Sequence, residues 1–197
     1  MRIAVGVDAT GSDSAAERHA TALATRSAVP LVRIHVTPDD DAVDEVVARV
    51  REIKPAILVL GTHARHGLDA MLHASVAEAI ARNVEMPTLV VPNRARGFVA
   101  DDGTLVLPRV IVPARDPVDA QRAIPAVRLV LELLAAPNTP IDVSTRPLDD
   151  LLADARRDGA LVAMTTRGHD GLRDVLRGSH TEHAIRGSGC AVLCVPA

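Results

Sequence analysis

The 197-residue chain has no Trp and no Tyr, and Phe98 is its one aromatic residue. Unpaired bases bind by stacking on aromatic side chains, so single-strand nucleic-acid binding is disfavoured from the outset. Lys54 is the one lysine, and the formal net charge is −3, with no basic patch of the kind a DNA surface requires. Cysteine is nearly absent too. Cys190 and Cys194 stand i, i+4 in one predicted strand, on the same face and too far apart to bridge, so they read as buried thiols. No apolar run approaches the ~20 residues of a membrane span. The chain opens with MRIAVGVD, directly in a strand, without a charged leader and a long apolar core. A soluble, cytoplasmic protein is expected. With 48% hydrophobic residues there is ample material for a core, but that core must be aliphatic.

What the chain does contain is a repeat. Residues 61–92 and 165–196 align without a gap at an offset of 104 (165 minus 61), and Gly67/Gly171, Leu68/Leu172, Ser75/Ser179, Glu78/Glu182 and Pro92/Pro196 are identical. Each block leaves an apolar strand, passes a glycine-containing loop, starts a helix at Ser-x-x-Glu and closes on a strand. Two halves follow: residues 1–92, a polar boundary over 93–104, and residues 105–197. The boundary carries an Asp102-Gly103 turn signal between Phe98-Val99 and Leu105-Val106, which predicts a small hairpin.

Apolar runs at 3–7, 31–36, 56–60 and 88–91 read as buried strands. Helical periodicity runs between them, through Ala16, Ala20 and Leu23 and then through Val43, Val46, Val47, Val50 and Ile53. The second half repeats the order with strands at 110–114, 141–144, 160–164 and 192–195 and helices at 117–135 and 148–157. Pro125 predicts a kink or a late start in the first of these helices. Alternating strands and helices imply parallel sheets covered on both faces. The fold class is therefore α/β, built as two related parallel-sheet domains.

The loops carry the candidate chemistry. Thr165-Thr166-Arg167-Gly168 leaves a strand, and Gly178-Ser179 opens a helix. Glycine lets a ligand approach the backbone closely, and a helix N-terminus presents unpaired N–H groups to an anion. The Ser179 hydroxyl and the His180 ring add donors. Thr165, Gly168, Gly178, Ser179 and His180 thus form the better phosphate cradle, with Asp8, Gly61 and Ser75 the weaker first-half set. The alternative is that the glycines only turn the chain and Ser179 only caps its helix.

The spacing G-x2-G-x9-G-[ST] after a strand, together with a first strand ending in Val7-Asp8, resembles the universal stress protein family. The resemblance covers nearly the whole chain as two tandem copies, each shorter than a usual family domain. It implies a flavodoxin-like, adenine-nucleotide-hydrolase-like fold for each half, and a subgroup of the family binds ATP through this motif. What it implies here is a stress-response regulatory module that binds ATP or another adenine nucleotide in the second half.

Neither copy of the motif is complete. Gly61 and Ser75 survive in the first half, but Ala64 and Ala74 put methyl groups where phosphates would lie. Gly168, Gly178 and Ser179 survive in the second, where Thr165 replaces the leading glycine and Arg115 falls opposite Asp8. A methyl in the cradle obstructs directly, whereas a lost acid removes one hydrogen bond of about 1–3 kcal/mol. The second half therefore ranks first.

Other chemistries rank lower. His63, His66 and His73, or His180 and His183, lack a carboxylate or thiol spaced to complete a metal site. Gly11, Asp13 and Ser14 match part of the S-G-G-x-D-S loop of ATP pyrophosphatases, but a helix cap explains them as well. No nucleophile stands beside a base, so no catalytic residue is assigned. The competing function is a non-nucleotide interaction or scaffold protein with degenerate loops. The expected partners are the two halves for each other, a second copy in a homodimer, and an unidentified protein, with no nucleic acid and no membrane.

Overall fold

The first strand, β1 (Ile3–Asp8), is a central strand because Ile3, Ala4 and Val5 are buried whichever face they point to, leaving no solvated side. In the computed structural model the described residues are 1–8, 15–36, 42–62, 76–92, 97–114, 117–165 and 189–196. After β1 come α1 (Ala15–Ser27), β2 (Leu31–Val36), α2 (Ala42–Ile53), β3 (Ile57–Thr62), α3 (Val76–Asn83) and β4 (Thr88–Pro92). The second half contains β5 (Val110–Pro113), α4 (Pro117–Leu133), β6 (Ile141–Ser144), α5 (Leu148–Asp158), β7 (Leu161–Thr165) and β8 (Val192–Val195).

These strands form one eight-stranded sheet in the order β2-β1-β3-β4-β8-β7-β5-β6. Among the described strands of this sheet every pairing within a half is parallel, and the one antiparallel pairing joins β4 to β8. That joint is symmetric. Thr88 pairs with Cys194, Leu89 with Leu193 and Val90 with Val192, so residues 104 apart exchange roles across the Leu89–Leu193 pair. The sequence repeat thus becomes an internal two-fold axis of the kind that relates identical subunits in a dimer. Because the joint is antiparallel, the C-terminal strand ends of the two halves lie at opposite margins of the sheet.

Helices α1 and α4 pack against each other on one face, over a core that draws on both halves. The predicted hairpin also joins this core. Val99 bridges Leu105, the Val106 amide donates to the Phe98 carbonyl at 2.9 Å, and Phe98 and Val99 are fully buried. The described part of the boundary, from residue 97 on, is therefore not a break in the packing. On the opposite face two smaller clusters form, one under α2 and α3 and one under α5.

Two details depart from sequence expectation. Pro125 neither delays nor ends α4, which starts at Pro117 and runs through it. Pro125 and Gln121 both lie on the exposed side, so the carbonyl that loses its donor stays within reach of water. Cys190 lies ahead of β8 rather than inside it, although both it and Cys194 are buried thiols in one cluster.

Candidate functional site

In each half the strand order reverses beside the first strand, and the C-terminal strand edge is where an open α/β sheet leaves a crevice. The registers show that crevice opening. β1 and β3 pair from Ile3↔Ile57 to Val5↔Val59, yet both strands continue for three more residues. Over that stretch each pairs only outward, β1 with β2 as far as Asp8↔Val36 and β3 with β4 as far as Thr62↔Pro92. In the second half β5 and β7 pair only at Val110↔Leu161 and Ile111↔Val162, while β7 stays bonded to β8 through Thr165↔Val195.

The same registers superpose the halves. Gly61 faces Val91 and Thr165 faces Val195, so Thr165 is the structural counterpart of Gly61. Ile3 pairs with Leu31 and Ile57, and Val110 pairs with Ile141 and Leu161, so Ile3 corresponds to Val110. Counting on along the chain, Asp8 corresponds to Arg115, an acid in one half and a cation in the other.

Of the sequence-assigned residues, Asp8 ends β1 and Gly61 lies in β3, on either side of the first crevice. Thr165 ends β7, half-buried, at the rim of the second. The sheet thus brings Asp8 and Gly61 to one margin and Thr165 to the other. Gly168, Gly178, Ser179, His180 and Ser75 lie outside the described residues, as do Arg115, Ala64, Ala74 and the histidines at 63, 66, 73 and 183.

Side-chain detail differs between the rims. At Gly6, just beyond the last β1–β3 pair, an added Cβ would stand 2.8 Å from Leu60 Cδ2 and 3.4 Å from Val36 Cγ2, so Leu60 closes over this position. Pro113 is the second-half counterpart. Around it the Ala114 amide donates to the Ser144 carbonyl at 3.0 Å, and Arg146 follows β6, bonded to Asp154 at 2.7 Å. The Arg146 hydrogen bond holds the half-buried Asp154 carboxyl below the usual carboxylate range, and Asp154 raises Arg146 in turn. Among the described residues no group of three His, Cys, Asp or Glu side chains could hold a metal. Nor is any described helix long and apolar enough to cross a membrane.

The universal stress protein family model matches residues 39–92 and 100–196, which together take in both repeat blocks. The chain belongs to the universal stress protein family. Among solved structures, this universal stress protein chain is similar to one from Archaeoglobus fulgidus DSM 4304, at 14% identity and a TM-score of 0.58. The match covers 98% of this chain and 96% of that one. A functionally unknown protein from Pseudomonas aeruginosa PAO1 follows at 11% identity and a TM-score of 0.54, covering 99% of this chain and 82% of that one. At such identities the likeness is one of fold. No curated protein matches the chain.

One residue with unusual electrostatics was missed by motif reasoning. His19 is fully buried in α1, and burial pushes its imidazole down to about 4. It lies in the helical stripe of Ala15, Ala16, Ala20 and Leu23. That spacing was the available signal, because a histidine within an apolar stripe needs hydrogen-bond partners.

Proposed function

We propose that this universal stress protein is a regulatory module with little or no catalysis, and that its working site takes an adenine nucleotide at the second-half crevice. The observation that carries the reading is the early parting of β5 and β7 after Ile111↔Val162, with Thr165 at the rim. The chain then runs into Gly168, Gly178, Ser179 and His180, the glycine-rich stretch the family resemblance links to phosphate. In this reading backbone amides at Gly168 and Gly178 meet the phosphates, the Ser179 hydroxyl donates to one oxygen, and His180 adds a further donor. Ala64 and Ala74 crowd the first-half copy, which leaves one site at most. The setting is a cytoplasmic stress response, read out through a protein partner.

Mass spectrometry of small molecules released from freshly purified chain should find an adenine nucleotide. Added ATP should raise the melting temperature, since ligand at about 100 times its Kd stabilises by about 2.7 kcal/mol. Gly178→Val, which places a branched side chain in the cradle, should remove both signals. If there is neither bound nucleotide nor any shift with millimolar ATP, ADP or AMP, the reading fails and the interaction-protein alternative takes its place.

A further inference from the structure

His19 has a role that nucleotide binding does not use. Its Nδ1 bonds the Ala15 carbonyl at 2.6 Å, one turn back in α1. A carbonyl only accepts, so Nδ1 carries the proton. The amides of Phe98 and Val99 both donate to Nε2, at 3.1 and 3.3 Å, so Nε2 is bare. The ring is thereby fixed as one neutral tautomer, and it ties the first helix to the hairpin that connects the two halves. Gly97 makes this approach possible. At φ +58° it has no Cβ, and a Cβ there would stand 2.5 Å from the imidazole. On its other side the hairpin meets the Gly159 turn after α5, through the Gly97 and Val106 carbonyls.

We propose that His19 is an acid-released clasp: a proton on Nε2 opposes two amide N–H groups and frees the hairpin, residues 97–107, from α1. The charged groups around it do not relieve that conflict. Arg18, next on α1, repels a charged ring, and Arg18 itself is paired with Asp101 of the hairpin at 3.0 Å. Asp101 and Asp102 at the hairpin tip are exposed, as are Arg122, Arg128 and Glu132 on α4, the helix packed against α1. Asp158, beside the Gly159 turn, is bonded to Arg109 at 2.7 Å. Released, the hairpin uncovers Phe98 and Val99, both wholly buried when it is closed. Acidification is thus converted into apolar surface at the core shared by the two halves, while the β4–β8 joint is untouched.

Hydrogen–deuterium exchange of the full chain, corrected for the intrinsic pH dependence of exchange, tests this. A released ring regains its ordinary 6.5 against about 4 when clasped, so hairpin opening should rise roughly twenty-fold from pH 7 to pH 5. Peptides from β4 and β8 should keep their protection. His19→Gln supplies an acceptor that does not titrate, and its hairpin exchange should be flat over the same range. Equal hairpin protection at both pH values overturns the proposal, and so does opening of β4 and β8 in step with the hairpin. Should His19→Gln not fold, NMR of the unaltered chain decides. The Nδ1–H tautomer must persist until the hairpin opens, and a ring that titrates near 6.5 under a closed hairpin overturns the clasp.

Discussion

The His19 imidazole stands edge-on to the Phe98 ring, with centroids 4.5 Å apart and planes at 85°, while its Nε2 accepts the Phe98 amide. One side chain thus holds both the backbone and the ring of the chain's single aromatic residue. Edge-on aromatic pairs add about 0.5–1.5 kcal/mol beyond their burial. The contact joins positions 79 residues apart, one in each of the segments it connects.

This contact sets a pH dependence of overall stability. The folded state depresses His19 from 6.5 to about 4, so between those values the unfolded chain binds the extra proton. The His19 contribution is therefore complete above pH 6.5 and is lost progressively as pH falls towards 4, in total about 3 kcal/mol. Guanidinium unfolding from pH 7 to pH 4.5 should show this decline, and His19→Gln should lack the part of it due to the ring. An identical slope in the variant would count against the assignment.

Two glycines of the same hairpin separate backbone strain from crowding. Gly97 and Gly103 both have positive φ, but an added Cβ at Gly103 meets nothing within 4 Å. Gly103→Ala should cost about 1 kcal/mol, the conformational part alone. Gly97→Ala must also displace the His19 ring from its two amide bonds, and should cost at least about 2 kcal/mol more. Thermal melts of the pair give the comparison, and equal losses would mean the ring moves aside freely.

At the symmetric joint, Leu89 and Leu193 are register partners, fully buried in the same cluster. Each Leu→Ala replacement should cost about 2–5 kcal/mol. Because the two are cross-strand neighbours, the double variant should depart from the sum of the singles by about 0.5 kcal/mol or more. A double-mutant cycle by denaturant unfolding measures this, and strict additivity would imply that the halves do not share this contact.

Much of the fold was legible from the pattern of residues. The runs at 31–36, 141–144 and 192–195 are strands to the residue, because turn residues such as Pro30 and Pro140 bound short aliphatic segments. The strand at 56–60 instead starts one residue later and runs on to Thr62. Its extra residues pair with Val91 and Pro92, a tertiary ladder that local propensity does not encode. The late helix start that Pro125 suggests does not occur, for a related reason. The cost of the proline depends on whether the orphaned carbonyl is wet or buried, and that is set by how α4 packs. Of the candidate site, Asp8, Gly61 and Thr165 are named by motif spacing and lie at or near the ends of their strands, whereas for His19 the apolar stripe signals only that a buried ring needs partners. No motif marks it, and its partners are amides on a distant hairpin.

The sequence by itself determined the period of each element, the duplication and the unequal survival of the glycines, since all three are properties of spacing along the chain. Only the tertiary structure decided that the duplication becomes one continuous sheet with a symmetric Leu89–Leu193 centre and crevices at opposite margins. It also decided that Phe98 and His19 close the shared core. The physical reason is range. Periodicity and capping act over a few residues, whereas strand pairing and burial depend on which distant surfaces exclude water together.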